Sequence, residues 1–158
     1  MAVDYFLKLD SINGESIDQN FTNQINLLSF AWGGTQTTSV AGTGGSGAGK
    51  VSLSEFTVSK YYDASSPEIF KAMLLGTHIA TGTLSAVKSG SNGKPFLTIA
   101  FTELFVTSQQ MSGSSEIPNE SVSFSYNTIK TDYSKQNEQG NLTSVGAVSY
   151  DLKANKQS

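Results

Sequence analysis

One stretch decides the fold of this chain: residues 65–76, Ser-Ser-Pro-Glu-Ile-Phe-Lys-Ala-Met-Leu-Leu-Gly. Ser66 suits a helix N-cap, Pro67 suits the first helical position, and Gly76 can close the helix in the left-handed conformation. An apolar face that requires burial is formed by Ile69, Phe70, Met73 and Leu74. We therefore predict one helix over about residues 66–75. A helix this short is marginal in water, so it must dock onto a sheet.

Strand patterns dominate the rest of the chain. The first strand pattern alternates Val3, Tyr5, Leu7 and Leu9 with polar residues. Residues 95–106 are apolar on both parities, which predicts a central strand covered on both faces. The alternation slips within residues 51–58 and again within residues 122–133, as it does where a strand bends. About eight strands, two slips and one helix predict a mainly β fold, a closed or nearly closed barrel.

The composition changes abruptly between Gly33 and Gly49. These 17 residues contain seven of the 15 glycines, at positions 33, 34, 42, 44, 45, 47 and 49. They offer too little apolar surface to offset the entropy of ordering, so the sequence predicts a long mobile loop. A loop of this length within a compact domain is usually functional or disordered. We expect it to become ordered only against another molecule.

Length, charge and cysteine content restrict the classes of function. At 158 residues the chain fits one domain, residues 1–158, and the absence of cysteine excludes thiolate catalysis and disulfides. A net charge of −3 argues against nucleic acid or an anionic membrane as a partner. The N-terminus lacks a basic region followed by an apolar one, so we expect no standard signal peptide.

Three motifs invite a catalytic interpretation, and each favours a simpler one. Residues 44–50 match the glycine and lysine spacing of a phosphate-binding loop, but Val51 replaces the required hydroxyl and a strand pattern follows. His78 is the single histidine and is expected to pack at the helix end. Glu103 is expected to face solvent or to pair with Lys88 or Lys94. We therefore predict no enzymatic activity, no cofactor and no metal site.

Several segments, in their order along the chain, resemble the haemolysin-coregulated protein (Hcp) family of bacterial type VI secretion. The N-terminal half contributes Met1–Asp4, Gly14–Ser16, Ile25–Gly33, Gly49–Val51, Ser59–Tyr61, Asp63–Pro67 and Gly76–His78. The C-terminal half contributes Glu120–Phe124, Tyr133 and Asp151–Lys156. The resemblance extends from end to end of the chain.

The resemblance implies a β-barrel of two sheets with one flanking helix. It also implies homo-hexameric rings that stack into the inner tube of a contractile injector. The implied partners are other copies of the chain, a spike protein at the tip, a surrounding sheath and small effector proteins carried in the lumen. The protein would be cytoplasmic before firing and then secreted without a cleaved signal peptide.

The resemblance also suggests candidate residues for assembly and for cargo. The glycine-rich loop, with Gly33, Gly34, Gly42, Gly44, Gly45, Gly47 and Gly49, is the candidate for contacts between stacked rings. Ser29 and Ala31, near the end of the second strand, are candidates for contacts with cargo in the lumen. A different class remains open at this point: the dispersed tyrosines suit a monomeric β-barrel that binds carbohydrate or another small ligand.

Overall fold

The computed structural model describes residues 2–38, 48–89 and 91–157. Within them it contains twelve strands and one helix. The strands are β1 (Val3–Leu9), β2 (Ile25–Leu27), β3 (Ser29–Ala31), β4 (Gly34–Thr38), β5 (Ala48–Leu53), β6 (Phe56–Tyr61), β7 (Ile79–Lys88), β8 (Leu97–Ser112), β9 (Asn119–Ser125), β10 (Thr128–Gln136), β11 (Leu142–Asp151) and β12 (Lys156–Gln157). The helix, α1 (Ser65–Leu75), lies between β6 and β7.

Two antiparallel sheets share the long strand β8. The first sheet has the order β12-β11-β10-β8-β7-β1-β2, and the second runs from β3 through β6 and β9 to β8. β8 pairs with β10 as far as Thr102, with β7 as far as Leu104, and with β9 from Phe105 onward. Glu103 has a φ of 53°, so the strand departs from extended geometry where it passes between the sheets.

The chain passes between the sheets a second time at Leu28. β2 pairs with β1 in the first sheet, and β3 pairs with β6 in the second. With β8, this crossing makes a barrel-like enclosure, although the path of paired strands does not itself close. The prediction of a mainly β fold with two sheets and one helix is confirmed.

The core lies between the two sheets and is rich in aromatic side chains. Phe56 is completely buried, and its ring lies 4.5 Å from that of Phe101 and 6.1 Å from that of Phe124, centroid to centroid. A smaller cluster on the other side of β1 contains Phe6, Phe21 and Val87. β1 is therefore apolar on both faces over part of its length, which simple alternation did not predict.

The observed helix agrees with the predicted one to within one residue. Its N-cap and its buried face differ from the prediction. Gly76 closes it with a φ of 63°, as predicted. Ala64 occupies the N-cap position without a side-chain cap, so the predicted cap at Ser66 is wrong. Ile69 and Ala72 are buried against the sheet, whereas Phe70 and Leu74 are exposed. The helix therefore buries a narrower stripe than the sequence predicted, with Met73 only partly buried against the core.

The prediction of a loop over residues 33–49 is wrong at both ends of that range. β4 and β5 pair as an antiparallel hairpin, with Gly34 opposite Leu53 and Gln36 opposite Val51. Threonine, a β-branched residue that favours strands, occurs three times in β4. β4 can therefore pair as a strand although few apolar residues surround it. Gly42, Gly44, Gly45 and Gly47 lie outside the described residues.

Half of the polar segment at residues 109–120 belongs to strands rather than to a loop. β8 extends through Ser112 and β9 begins at Asn119, so the connection covers residues 113–118. Gln109 and Glu120 therefore lie on strands. Their polarity reflects their participation in a buried hydrogen-bond network, described below, rather than a position in solvent.

Candidate functional site

The outer face of the second sheet carries a patch of mostly small polar side chains. Because directly paired residues of an antiparallel sheet point to the same face, the strand register identifies its members. Ser59 is paired with Ser29 on one side and with Ser121 on the other. One adjacent row, centred on Thr57, also has small side chains, whereas the row on the other side begins the rim of the face with Tyr61. The members of this hydroxyl face are Ser29, Ala31, Thr57, Ser59, Ser108, Gln110, Ser121 and Ser123.

None of these eight side chains is charged, but Glu55, two residues before Thr57, is exposed at the border of the face and accepts a hydrogen bond from Thr107 Oγ1 at 2.9 Å. Thr57 Oγ1 and Ser123 Oγ lie 2.9 Å apart across β6 and β9, so neighbouring hydroxyl groups satisfy one another. On the opposite parity of the same strands, Val58 and Val122 are completely buried. The hydroxyl face is therefore a firmly supported surface with hydrogen-bonding capacity, bordered by one carboxylate.

Ser29 and Ala31, the two predicted cargo contacts, both lie on the hydroxyl face. Each is exposed, and they are paired with Ser59 and Thr57, respectively. Phe30 between them points inward and packs edge-on against Tyr5, at a centroid distance of 5.3 Å. The sequence analysis missed the other hydroxyl-bearing members. The serines that alternate with Val122 and Phe124 were the available signal.

The β4–β5 hairpin begins at the rim of this sheet. The Gly33 N–H donates to Ser54 Oγ at 2.8 Å, and the Ser54 N–H donates to the Gly33 carbonyl at 2.7 Å. Tyr126 connects this base to the core, because its hydroxyl donates to the Ser54 carbonyl at 2.7 Å. Burial raises the pKa of the Tyr126 phenol above its ordinary value.

Beyond its base the hairpin is a two-stranded sheet that pairs with no other strand in the described part of the chain. Thr35, Gln36 and Thr37 are consecutive and all exposed, so both faces of β4 are open. A two-stranded hairpin is at best marginally stable by itself in water. Its unpaired edges are suited to contact with another molecule. Of the predicted stacking residues, Gly33 lies at its base, Gly34 in β4 and Gly49 in β5.

A buried ionic network fixes the start of the helix to the second sheet. Lys60 is 0% exposed, and its ammonium group contacts the Glu120 carboxylate and lies 2.9 Å from Asp63 Oδ1. The same ammonium group donates to Ser66 Oγ at 2.9 Å. Gln109 Nε2 donates to Glu120 Oε2 at 2.8 Å. These contacts join β6, β8, β9 and α1, and the sequence analysis assigned none of them.

The three motifs with a possible catalytic meaning are not brought together. Lys50 lies in a strand, where the phosphate-binding interpretation would require a helix to begin. His78 is exposed and its ring lies 5.3 Å from that of Phe105. Glu103 pairs with Lys153 rather than with Lys88 or Lys94, because the strained position in β8 directs it toward the C-terminal segment.

Across residues 2–38, 48–89 and 91–157, no group of three or more His, Cys, Asp or Glu side chains could hold a metal ion. In the same part of the chain, no helix is long and apolar enough to cross a membrane.

The fold and these surfaces define a class of protein: a two-sheet β domain with one flanking helix, a neutral hydroxyl face and a projecting hairpin. Comparison with known proteins is more specific. Residues 6–133 match the family model described as "Type VI secretion system effector, Hcp". The chain belongs to the Hcp family of the type VI secretion system.

Individual relatives agree with this assignment. Protein Hcp1 of Pseudomonas aeruginosa is 34% identical over 143 residues, which cover 89% of this chain and 88% of that protein. Hcp1 from Salmonella typhimurium superposes with a TM-score of 0.81 at 36% identity, covering all of both chains. The solved structure of another type six secretion system protein superposes with a TM-score of 0.93 at 30% identity, covering 99% of this chain and 100% of that chain.

Proposed function

We propose that this protein is the structural subunit of the inner tube of a type VI secretion system. Six copies form a ring, rings stack into a tube, and effector proteins are carried or stabilised in the lumen before the tube is secreted. Membership of the Hcp family supports the assignment to this secretion system. The ring, its stacking and the cargo role are what the resemblance to this family implies, and the surfaces described above suggest which residues would serve them.

The hydroxyl face is the observation that carries the proposal. A tube must pass many different folded proteins, so its wall must contact them without holding any one too strongly. Fixed charges would repel or retain cargo by sign, and large apolar patches would bind it too tightly. Hydroxyl groups can donate or accept hydrogen bonds as each cargo requires. We therefore assign the hydroxyl face, with Ser29 and Ala31, to the lumen.

The projecting hairpin is the proposed contact between stacked rings. Gly33 and Gly34 at its base and Gly49 in β5 lie in the described part, and Gly42, Gly44, Gly45 and Gly47 complete the proposed contact. A two-stranded hairpin is marginally stable by itself, so packing against a neighbouring ring would stabilise it. We further propose a spike protein and sheath subunits as partners of the tube, and a purely structural role without enzymatic activity.

The mass of the protein in solution tests the ring. A closed ring of six 16.8 kDa chains has a mass of about 101 kDa, measured by light scattering on a sizing column. Electron microscopy of the same peak should then show rings with a central hole. A monomer that persists at high protein concentration would contradict the proposal and favour a ligand-binding barrel.

Hydrogen exchange tests the hairpin. We expect the amides of β4 and β5 to exchange faster in isolated rings than in stacked tubes, because stacking protects them. The amides of β6, which are paired on both sides, serve as the internal control. Equal hairpin protection in rings and tubes would exclude the hairpin from the stacking contact.

A charge placed on the hydroxyl face tests the lumen assignment. Ser59→Glu should reduce the protection that the rings give a co-expressed small effector against protease, while the mass of the ring is unchanged. Ser144→Glu, at an exposed site in β11, is the matched control and should leave effector protection intact. Equal protection with both variants would remove the hydroxyl face from the cargo contact.

A further inference from the structure

An open pocket lies where the hydroxyl face meets the base of the β4–β5 hairpin. We call it the border pocket. It has a volume of about 410 Å³ and is lined by Ala31, Trp32, Ser54, Glu55 and Thr57. Ala31 and Thr57 belong to the hydroxyl face, and Ser54 belongs to the base of the hairpin. The border pocket is therefore continuous with the surface that we assigned to cargo.

Glu55 is the charged member of the border pocket. Its side chain is exposed, and the other four lining side chains are uncharged. No ion pair in the described part of the chain includes Glu55. The border pocket therefore presents a carboxylate that lacks a cationic partner among the described residues.

The Glu55 carboxylate also has unused capacity to accept hydrogen bonds. Thr107 Oγ1 donates to its Oε2 at 2.9 Å, and the same hydroxyl oxygen lies 3.1 Å from the Ser123 carbonyl oxygen. One hydroxyl proton must therefore serve two acceptors, whereas a carboxylate can accept about four hydrogen bonds. Water can fill the remaining positions until a donor from another molecule replaces it. Thr107 thus orients this carboxylate without satisfying it.

Trp32 gives the border pocket an aromatic wall. It is the single tryptophan of the chain, and it packs partly against the core while it also lines the pocket. Among aromatic side chains, tryptophan attracts a cation most strongly when the cation lies over the face of the ring. Ala31 and Thr57 are small and leave room beside this ring. An aromatic wall and a carboxylate in one pocket together favour a flat cation.

The backbone segments that carry Trp32 and Glu55 are fixed to each other. Gly33 directly follows Trp32 and Ser54 directly precedes Glu55, and these two residues exchange hydrogen bonds of 2.7 and 2.8 Å. Tyr126 holds the Ser54 carbonyl from the side of the core. The backbone positions of the aromatic and acidic residues are therefore set before a ligand binds, which reduces the entropy lost on binding.

We propose that the border pocket binds the guanidinium group of an arginine side chain on a protein carried in the tube. A guanidinium group is planar and permanently charged, donates paired hydrogen bonds to a carboxylate and stacks on aromatic rings. A lysine ammonium group matches only the charge. Because the pocket is open, it accepts a side chain that projects from a large partner.

This proposal rests on the lumen assignment above and names the cargo chemistry that the lumen would select. The hydroxyl face contacts most of the cargo surface, and Glu55 at its border retains cargo that presents an arginine. A single exposed ion pair is weak, and a ring of copies would repeat the same contact around the lumen.

The fluorescence of Trp32 reports occupancy of the border pocket, because the chain has no other tryptophan. We expect a glycine–arginine–glycine peptide with blocked ends to change the emission of Trp32 and to protect it from acrylamide quenching. The same peptide with citrulline, a neutral isostere of arginine, should do neither at equal ionic strength. Raising NaCl to about 1 M should weaken the binding, because the ion pair is exposed to solvent.

Glu55→Gln should weaken the binding of the arginine peptide about fivefold, since it removes the charge and keeps the shape of the side chain. Glu138→Gln is the matched control, because Glu138 is exposed in the connection between β10 and β11 and does not line the pocket. Equal binding by the two variants, or an equal response to the citrulline peptide, would overturn the proposal. So would the absence of any response up to about 50 mM arginine peptide, a concentration that detects millimolar affinity.

Light scattering on the same samples separates this proposal from the proposed ring. A six-chain mass without a response of Trp32 would overturn the arginine site and leave the ring in place. A six-chain mass with a response that depends on Glu55 would support both. A monomer that binds the arginine peptide would overturn the ring and, with it, the role of the border pocket in holding cargo.

Discussion

The inner and outer faces of the sheet formed by β3, β6, β9 and the second half of β8 carry different chemistry on the same backbone. Phe56, Val58 and Lys60 point inward and are completely buried. Thr57 and Ser59, which alternate with them, point outward and are partly exposed. The inner face combines aromatic packing with one buried ionic network, whereas the outer face has small hydroxyl groups.

This comparison separates the residues that hold the fold from those proposed to contact other molecules. The inner face has little tolerance, because close packing and buried charge both penalise any change in size or polarity. Substitutions on the outer face should change the stability of the fold little. Added charge or bulk on this face should instead impair the proposed passage of cargo. Substitutions at neighbouring positions of β6 should therefore have very different effects.

Phe56→Ala should have the largest effect on stability, a loss of about 4 kcal/mol in the free energy of unfolding. It removes a completely buried ring that packs against Phe101 and Phe124, and leaves a cavity. Thr57→Ala, one residue away on the outer face, should cost no more than about 1 kcal/mol for its hydrogen bond to Ser123. Urea unfolding at one fixed protein concentration measures both, and equal losses would remove the distinction between the faces.

Lys60→Met should cost about 3 kcal/mol, because it leaves the buried Glu120 carboxylate without its cation. Adding Glu120→Gln should recover part of that loss, since an amide requires no counter-charge. The same urea measurement applies, with Lys71→Met on the exposed side of the helix as the control. A Lys60→Met variant as stable as its control would show that the ionic network contributes nothing to the fold.

Tyr126→Phe should cost about 1 kcal/mol at neutral pH, by removing the hydrogen bond to the Ser54 carbonyl. Burial raises the pKa of the Tyr126 phenol, so the folded chain retains this proton at pH values where the unfolded chain has lost it. The resulting stabilisation is complete below the unfolded pKa of about 10 and is lost as the pH rises through the folded value. Unfolding of both proteins at pH 8 and above pH 10 measures it: the wild type should lose more stability than Tyr126→Phe.

Ser59→Ala/Ser121→Ala should have the smallest effect, a change in stability within about 0.5 kcal/mol. Both side chains are partly exposed on the outer face, where neither contributes to the core. Light scattering should give the same mass as for the wild type. A large loss of stability would mean that the hydroxyl groups serve the fold, and would weaken their assignment to cargo.

Much of the fold could be predicted because its signals are local. Gly76 ended the helix as expected, since the left-handed conformation is a property of one residue. The alternation of Val122, Phe124 and Tyr126 with serines fixed the buried side of β9. The glycine-rich segment was misassigned at its ends, because a hairpin of threonine, glutamine and glycine has no hydrophobic periodicity to detect.

The candidate site was less accessible to sequence analysis because its members meet only through strand pairing. Ser29, Ser59 and Ser121 are distant in sequence and lie side by side through the register of β3, β6 and β9. Lys60 shares the parity of Phe56 and Val58, a signal that could have identified it as buried. Its partner Glu120 lies 60 residues further along the chain, and nothing local connects the two.

The sequence by itself determined the secondary-structure class, the position of the helix and the family of the chain. These depend on residue patterns within short windows and on the order of those patterns along the chain. The tertiary structure decided which faces were covered. Phe70 and Leu74 belong to the apolar helix face that the sequence predicted, yet they are exposed, whereas Ile69 and Ala72 of the same helix are buried. Burial depends on where distant strands stop, and that is set by the pairing of the whole sheet rather than by any one segment.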